Sequence, residues 1–246
     1  MFNMKVKSQL YMLLTLLVIG FSTLLYTSML SVNNTRMTNE RLVLIGQFES
    51  IPAKIMMNLV GYQLLFKEDF IKAYDKEFKD FSTVAEELHT IVLAEENRMR
   101  IKEISALIKE WSEINVPRVA MLKQYQRKIT DDAFTESENG LKLAVLTKKS
   151  ADIFKIIETK TTTLKESVIK VNIDNAENIF KISIVSITLM TLITIIFVLF
   201  LIKNIISRIS TIQLGLTSFF SFLNRETSKA EPINLDSKDE FGQMAV

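Results

Sequence analysis

The chain has no cysteine, three prolines, six glycines and one histidine in 246 residues. Without cysteine there is no disulfide framework and no thiolate metal site. A lone histidine, His89, cannot assemble a metal site, and catalysis by imidazole needs a partner. There is no glycine-rich phosphate loop, since Gly215 and Gly242 stand isolated. The acidic pairs Asp131-Asp132 and Glu86-Glu87 read as solvated charges. The expectation is a protein that is not an enzyme and uses no cofactor or metal.

Charge and proline are also absent from two long stretches. Leu10–Val32 and Ile182–Ile202 contain no Asp, Glu, Lys, Arg or Pro. Each reaches the ~20 residues that a helix needs to cross a hydrocarbon core. The chain therefore reads as two-pass. The expected divisions are a head (1–9), a first span (10–32), a middle domain (33–181), a second span (182–202) and a tail (203–246). A cleaved signal peptide is the competing reading of the first span. Its length and the lack of a small-x-small site after it count against that.

Charge distribution sets orientation and excludes one partner. The middle domain carries 23 basic and 23 acidic residues. A neutral, mixed surface lacks the basic face that nucleic acid requires. Lys5 and Lys7 precede the first span, and Lys203 and Arg208 follow the second. The positive-inside rule then places both termini in the cytoplasm and the middle domain outside.

Only Pro52, Pro117, Gly46, Gly61 and Gly140 interrupt the middle domain, so long helices are expected. Apolar residues recur at heptad spacing. The first helix reads Ile45, Phe48, Pro52, Ile55, Leu59, Tyr62, Phe66, with a kink expected at Pro52. The second reads Phe70, Tyr74, a break at Glu77, then Phe81, Val84, Leu88, Ile91. The third reads Ile101, Ile104, Ile108, Trp111, with Leu122, Tyr125 and Ile129 resuming the phase beyond Pro117. Thr130–Gly140 reads as a loop that could hold one helical turn. The fourth reads Ile157, Thr161, Leu164, Val168, Val171, Asn175, Asn178 and Ile182, running into the second span. Asn175 and Asn178 sit either at a dimer seam, where polar residues fix register, or facing water. The predicted fold is all-α: an antiparallel four-helix bundle, membrane-anchored and continuous with two transmembrane helices, followed by a coiled-coil helix.

In the tail, Ile209, Ile212, Leu216, Phe219 and Leu223 step by three and four. A non-helical stretch, Asn224–Ser237, carries Ile233 and Leu235. Asp239-Glu240-Phe241-Gly242 then opens a second helical phase. Helix, connector with two spaced hydrophobes, and acidic-Glu-apolar-Gly entry together resemble the HAMP linker of bacterial transducers. The wording Ser218-Phe219-Phe220-Ser221-Phe222-Leu223-Asn224-Arg225-Glu226, followed by Asp236-Ser237-Lys238-Asp239-Glu240-Phe241-Gly242, is similar to the HAMP segment of methyl-accepting chemotaxis proteins. Gly61-Tyr62-Gln63-Leu64-Leu65-Phe66 and Phe70-Ile71-Lys72-Ala73-Tyr74 resemble the first hairpin of their four-helix-bundle sensors more loosely.

The resemblance implies a homodimer in the bacterial inner membrane that senses a small molecule or a periplasmic binding protein. Its output would reach a chemotaxis histidine kinase and coupling protein through a region after Val246. The HAMP signalling positions would be Ile209, Ile212, Leu216, Phe219, Leu223, Ile233, Leu235, Glu240 and Gly242. Two departures stand out. Ser207-Arg208-Ile209 replaces the proline common near the start of HAMP, and the second HAMP helix has barely a turn by Val246, as in a fragment or a truncated product. No arginine occurs from Lys54 to Lys67, so the arginine set that grips amino-acid carboxylates in well-known relatives is absent. Arg127, Lys128, Lys148 and Lys149 are the candidate ligand residues at the membrane-distal end. Alternative readings are the same sensor ahead of a histidine kinase or nucleotide cyclase, and a membrane-anchored coiled coil that carries no signal.

Overall fold

A computed structural model of the chain describes residues 6–229, apart from the side chain of Arg127, and Gly242. It is all-helical, with no strand among the described residues. Five α-helices follow in order: α1 (Val6–Leu65), α2 (Glu68–Ile91), α3 (Glu95–Tyr125), α4 (Asp132–Thr135) and α5 (Glu138–Leu223), with a 3-10 turn at Gln126–Thr130. Pro52 and Pro117 lie inside α1 and α3, and both helices continue through them. The expected loop Thr130–Gly140 contains the single turn of α4, and α5 already begins within it at Glu138. Ile233, Leu235 and Glu240 lie outside the described residues.

The chain divides into two compact units, residues 32–178 and residues 1–31 with 179–246. In the first, four helical segments share one core: the C-terminal part of α1, α2, α3 and the first part of α5. The α1 stripe is its spine, with Ile45, Phe48, Pro52, Ile55, Leu59 and Tyr62 all buried. Facing it are Phe81 and Leu88 of α2, Ile101, Ile104 and Trp111 of α3, and Ile157 and Leu164 of α5. Each fully buried apolar side chain of this size contributes roughly 1.5–3 kcal/mol. Rings knit the layers together: Phe48 meets Phe81 at 4.7 Å, and Trp111 lies between Phe78 and Phe154 at 5.9 and 5.6 Å.

Two details depart from the expected rows. On α2 the position at Glu77 is bypassed, and Phe78 packs on the core instead. On α5 the buried row runs Ile157, Thr161, Leu164, Val168, Asn172, passing over Val171. Thr161 and Asn172 are thus 11 residues apart, a spacing that relaxes left-handed winding. Asn175 donates to Asn34 Oδ1 of α1 at 2.7 Å. It therefore makes an intrachain contact while remaining half-buried, and Asn178 is exposed.

Turn chemistry explains the helix ends. Phe66 closes α1 at φ 53°, its N–H returning to Tyr62 O at 2.8 Å while the two rings meet edge to face. This is the left-handed cap that glycine usually fills. Ser137 precedes α5, and its hydroxyl accepts the Gly140 N–H at 3.1 Å, an N-cap bond. A side chain at Gly140 would strike Phe134 O at 2.0 Å, so only glycine fits there. The C-terminus of α5 carries paired bonds, Glu226 N to Ser221 O and Arg225 N to Phe222 O, with Arg225 at φ 61°. That is a Schellman ending, and it stops the helix at Leu223.

In the second unit, residues 6–31 of α1 and 179–223 of α5 pack on each other. The helices approach closely at Gly20, where an added Cβ would meet Met190 Cε at 3.4 Å. Asn204 donates to Gln9 Oε1 at 3.2 Å. Thr23, Thr191 and Thr194 return their hydroxyls to their own helix backbones. An apolar surface remains outside this contact, and both helices contain stretches long and apolar enough to cross a membrane.

Candidate functional site

The candidate ligand residues fall on or near the 3-10 turn and the start of α5. Lys128, Lys148 and Lys149 are exposed, and none forms an ion pair among the described residues. The side chain of Arg127 lies outside the described residues. In the tail, Ile209, Leu216, Phe219 and Leu223 of α5 are exposed and Ile212 is half-buried. Gly242 is buried. His89 is half-buried on α2 with Nε2 unpartnered, and no group of three metal-binding side chains occurs among the described residues.

The concentrated chemistry of residues 32–178 lies elsewhere, in two buried polar layers. The first surrounds Arg118 of α3, which is only 2% exposed. Its Nη2 donates to Gln63 Oε1 of α1 at 2.9 Å, and its Nη1 donates to Ser150 Oγ of α5 at 3.2 Å and Asn115 Oδ1 at 3.4 Å. Trp111 Nε1 donates to the same Ser150 hydroxyl at 2.9 Å, and Asn115 Nδ2 donates to Trp111 O at 3.0 Å. Every acceptor is neutral. Burial lowers the pKa of Arg118, partly countered by Tyr74. Burial first, then Asp75, pushes the Tyr74 hydroxyl well above its usual range, so it is un-ionised at neutral pH. Arg118 Nε is buried and has no partner.

The second layer lies at the opposite end of α2. Arg41 of α1, 6% exposed, donates through Nε to Ile91 O at 2.6 Å and through Nη1 to Asn172 Oδ1 at 3.2 Å. Ile91 ends α2, so its carbonyl has no partner within the helix. A cation at a helix C-terminus satisfies that carbonyl and complements the helix dipole. Arg98 Nη2 adds a bond to Val92 O at 3.2 Å. Ser167 of α5 donates to Asn97 Oδ1 of α3 at 2.8 Å in the same region.

Sequence reading misses both layers because it follows apolar residues. The signal is nonetheless present: Trp111, Asn115, Arg118 and Leu122 keep steps of four, three and four across Pro117. A polar residue holding the phase of a buried row is a candidate buried polar residue.

A further row lies on the outer face of α1. Val43, Gly46, Ser50, Ala53, Met57, Val60 and Leu64 alternate steps of three and four. Val43, Met57 and Leu64 are 60%, 64% and 71% exposed, and no charged residue interrupts the row. This is the pattern of an a/d seam, on a face that the core does not use.

Comparison with family models, curated proteins and solved structures returns no match for this chain.

Proposed function

We propose that the chain is the sensor and membrane part of a chemotaxis transducer, anchored in the inner membrane of a bacterium with both termini in the cytoplasm. Residues 33–181 act as an extracytoplasmic antiparallel four-helix bundle, and residues 203–246 belong to a HAMP module. A stimulus, either a small molecule or a periplasmic binding protein, biases the bundle. The bias passes along α5 to the HAMP coil and so to a chemotaxis histidine kinase and its coupling protein.

The observation that carries this reading is that α1 and α5 each serve two purposes. Each supplies core residues to the outer unit and also supplies one of the two long apolar stretches. A helix shared in this way is a physical route from one to the other, provided the receiving element has two states. The uninterrupted a/d row on α1 supports a homodimer. The HAMP-like spacing of Ile209, Ile212, Leu216, Phe219 and Leu223 supports a transducer over an inert anchor.

The test is the coding sequence read past the codon for Val246. Long heptads rich in Glu, Gln and Ala with a hairpin tip support the proposal. A His-bearing dimerisation helix or a cyclase domain would transfer the sensor to an enzyme, and a stop codon would remove the output.

A further inference from the structure

Arg118 presents an unusual electrostatic problem. A guanidinium stays protonated in proteins. Burying such a charge is costly unless a charged partner or a full set of hydrogen bonds compensates it. Among the described residues Arg118 has no carboxylate partner, three neutral acceptors and one buried N–H without any. Stability alone does not account for this arrangement, because an apolar residue of similar volume would cost less.

The acceptors differ in exposure. Asn115 and Ser150 are fully buried, but Gln63 is only half-buried. Gln63 is therefore the most exposed of the three acceptor residues. Swinging it aside would expose an edge of the guanidinium to a small anion. An anionic oxygen there makes charge-assisted bonds, roughly twice as strong as the neutral one it displaces.

We propose that Arg118, held through Nη1 by Ser150 and Asn115, is an anchor for one small monoanion that enters past Gln63 and meets Nη2. The ligand class is a carboxylate group or a halide, since one buried guanidinium balances one negative charge. The exposed lysines Lys128, Lys148 and Lys149 are not part of this site. For its role in signalling the inference rests on the transducer reading, but binding itself does not.

The sole tryptophan supplies the readout. Trp111 is fully buried and shares the Ser150 hydroxyl with Arg118, so its emission responds to a change in this layer. The full chain in lipid nanodiscs is titrated with sodium acetate and, separately, with sodium chloride, at constant ionic strength set with sodium sulfate. A saturable change in emission is expected with at least one salt. Acetate alone identifies a carboxylate site, and chloride alone identifies a halide site.

Two variants test the assignment. Arg118→Met should abolish the response. Gln63→Glu places a carboxylate of the protein's own where the amide oxygen lies 2.9 Å from Nη2. It should raise Tm and weaken the apparent anion affinity at least about tenfold, equivalent to about 1.4 kcal/mol. Should Arg118→Met fail to fold, Gln63→Glu still decides the matter. No saturable response in the unaltered chain, or an equal response in Gln63→Glu, overturns the site. Binding with no effect on kinase output would instead overturn the transducer reading and leave the site standing.

Discussion

Single residues in the four-segment core unit carry uneven weight. Arg41 joins three elements through two bonds, and its neighbours have little to replace it. Arg41→Ala strands the Ile91 carbonyl and the Asn172 amide oxygen. Each unsatisfied buried group costs ~1–3 kcal/mol. The expected loss is about 2–4 kcal/mol, read as a lower midpoint in chemical denaturation. A loss below about 0.5 kcal/mol would show that water replaces the guanidinium. Gly61 offers a steric counterpart. A Cβ there would lie 2.6 Å from Phe70 Cε1. Gly61→Ala should destabilise by about 1–3 kcal/mol through overpacking. Adding Phe70→Leu should recover part of that, and a strictly additive double variant would rule out the ring contact as the cause.

At the scale of elements, the sequence is informative wherever a row is apolar. The α1 stripe from Ile45 to Tyr62 lies in the core as its spacing implies, and α5 ends at Leu223, where the apolar steps stop. The rows lose legibility where polarity enters. Asn115 and Arg118 are passed over because a buried polar side chain looks, in sequence, like a gap. Asn172 takes the place of Val171 because the helical period has drifted by one position over 11 residues. The candidate site is hardly legible at all, since it depends on Gln63, Ser150 and Arg118 meeting from three helices.

The outer face of α1 gives an element-scale prediction. Since the chain has no cysteine, introduced cysteines report without background. Ala53→Cys and Val60→Cys should each give a disulfide-linked dimer in membranes under mild oxidation. Lys72→Cys, exposed on α2, should remain monomeric on a denaturing gel. Equal crosslinking at all three positions would indicate random collision and defeat the seam.

For the whole molecule, the transducer proposal is tested by asking whether rotation or translation of α5 changes output. One residue inserted between Asn178 and Ile182 turns all that follows by about 100° and adds 1.5 Å. Coupled to a kinase readout, the insertion should lock or abolish signalling, whereas seven inserted residues, which restore the heptad phase, should leave more of it. Unchanged output after a single insertion would reject α5 as the conduit.

The long spacing between Thr161 and Asn172 has a mechanical consequence. Above it, interlocked side chains resist torsion like splines on a shaft. At Asn172 the row turns polar, and α5 meets α1 through a hydrogen-bonded rung to Arg41. The collar formed by Arg41 and Asn172 is thus a polar ring tying α1, α2 and α5 together at the end of the buried row.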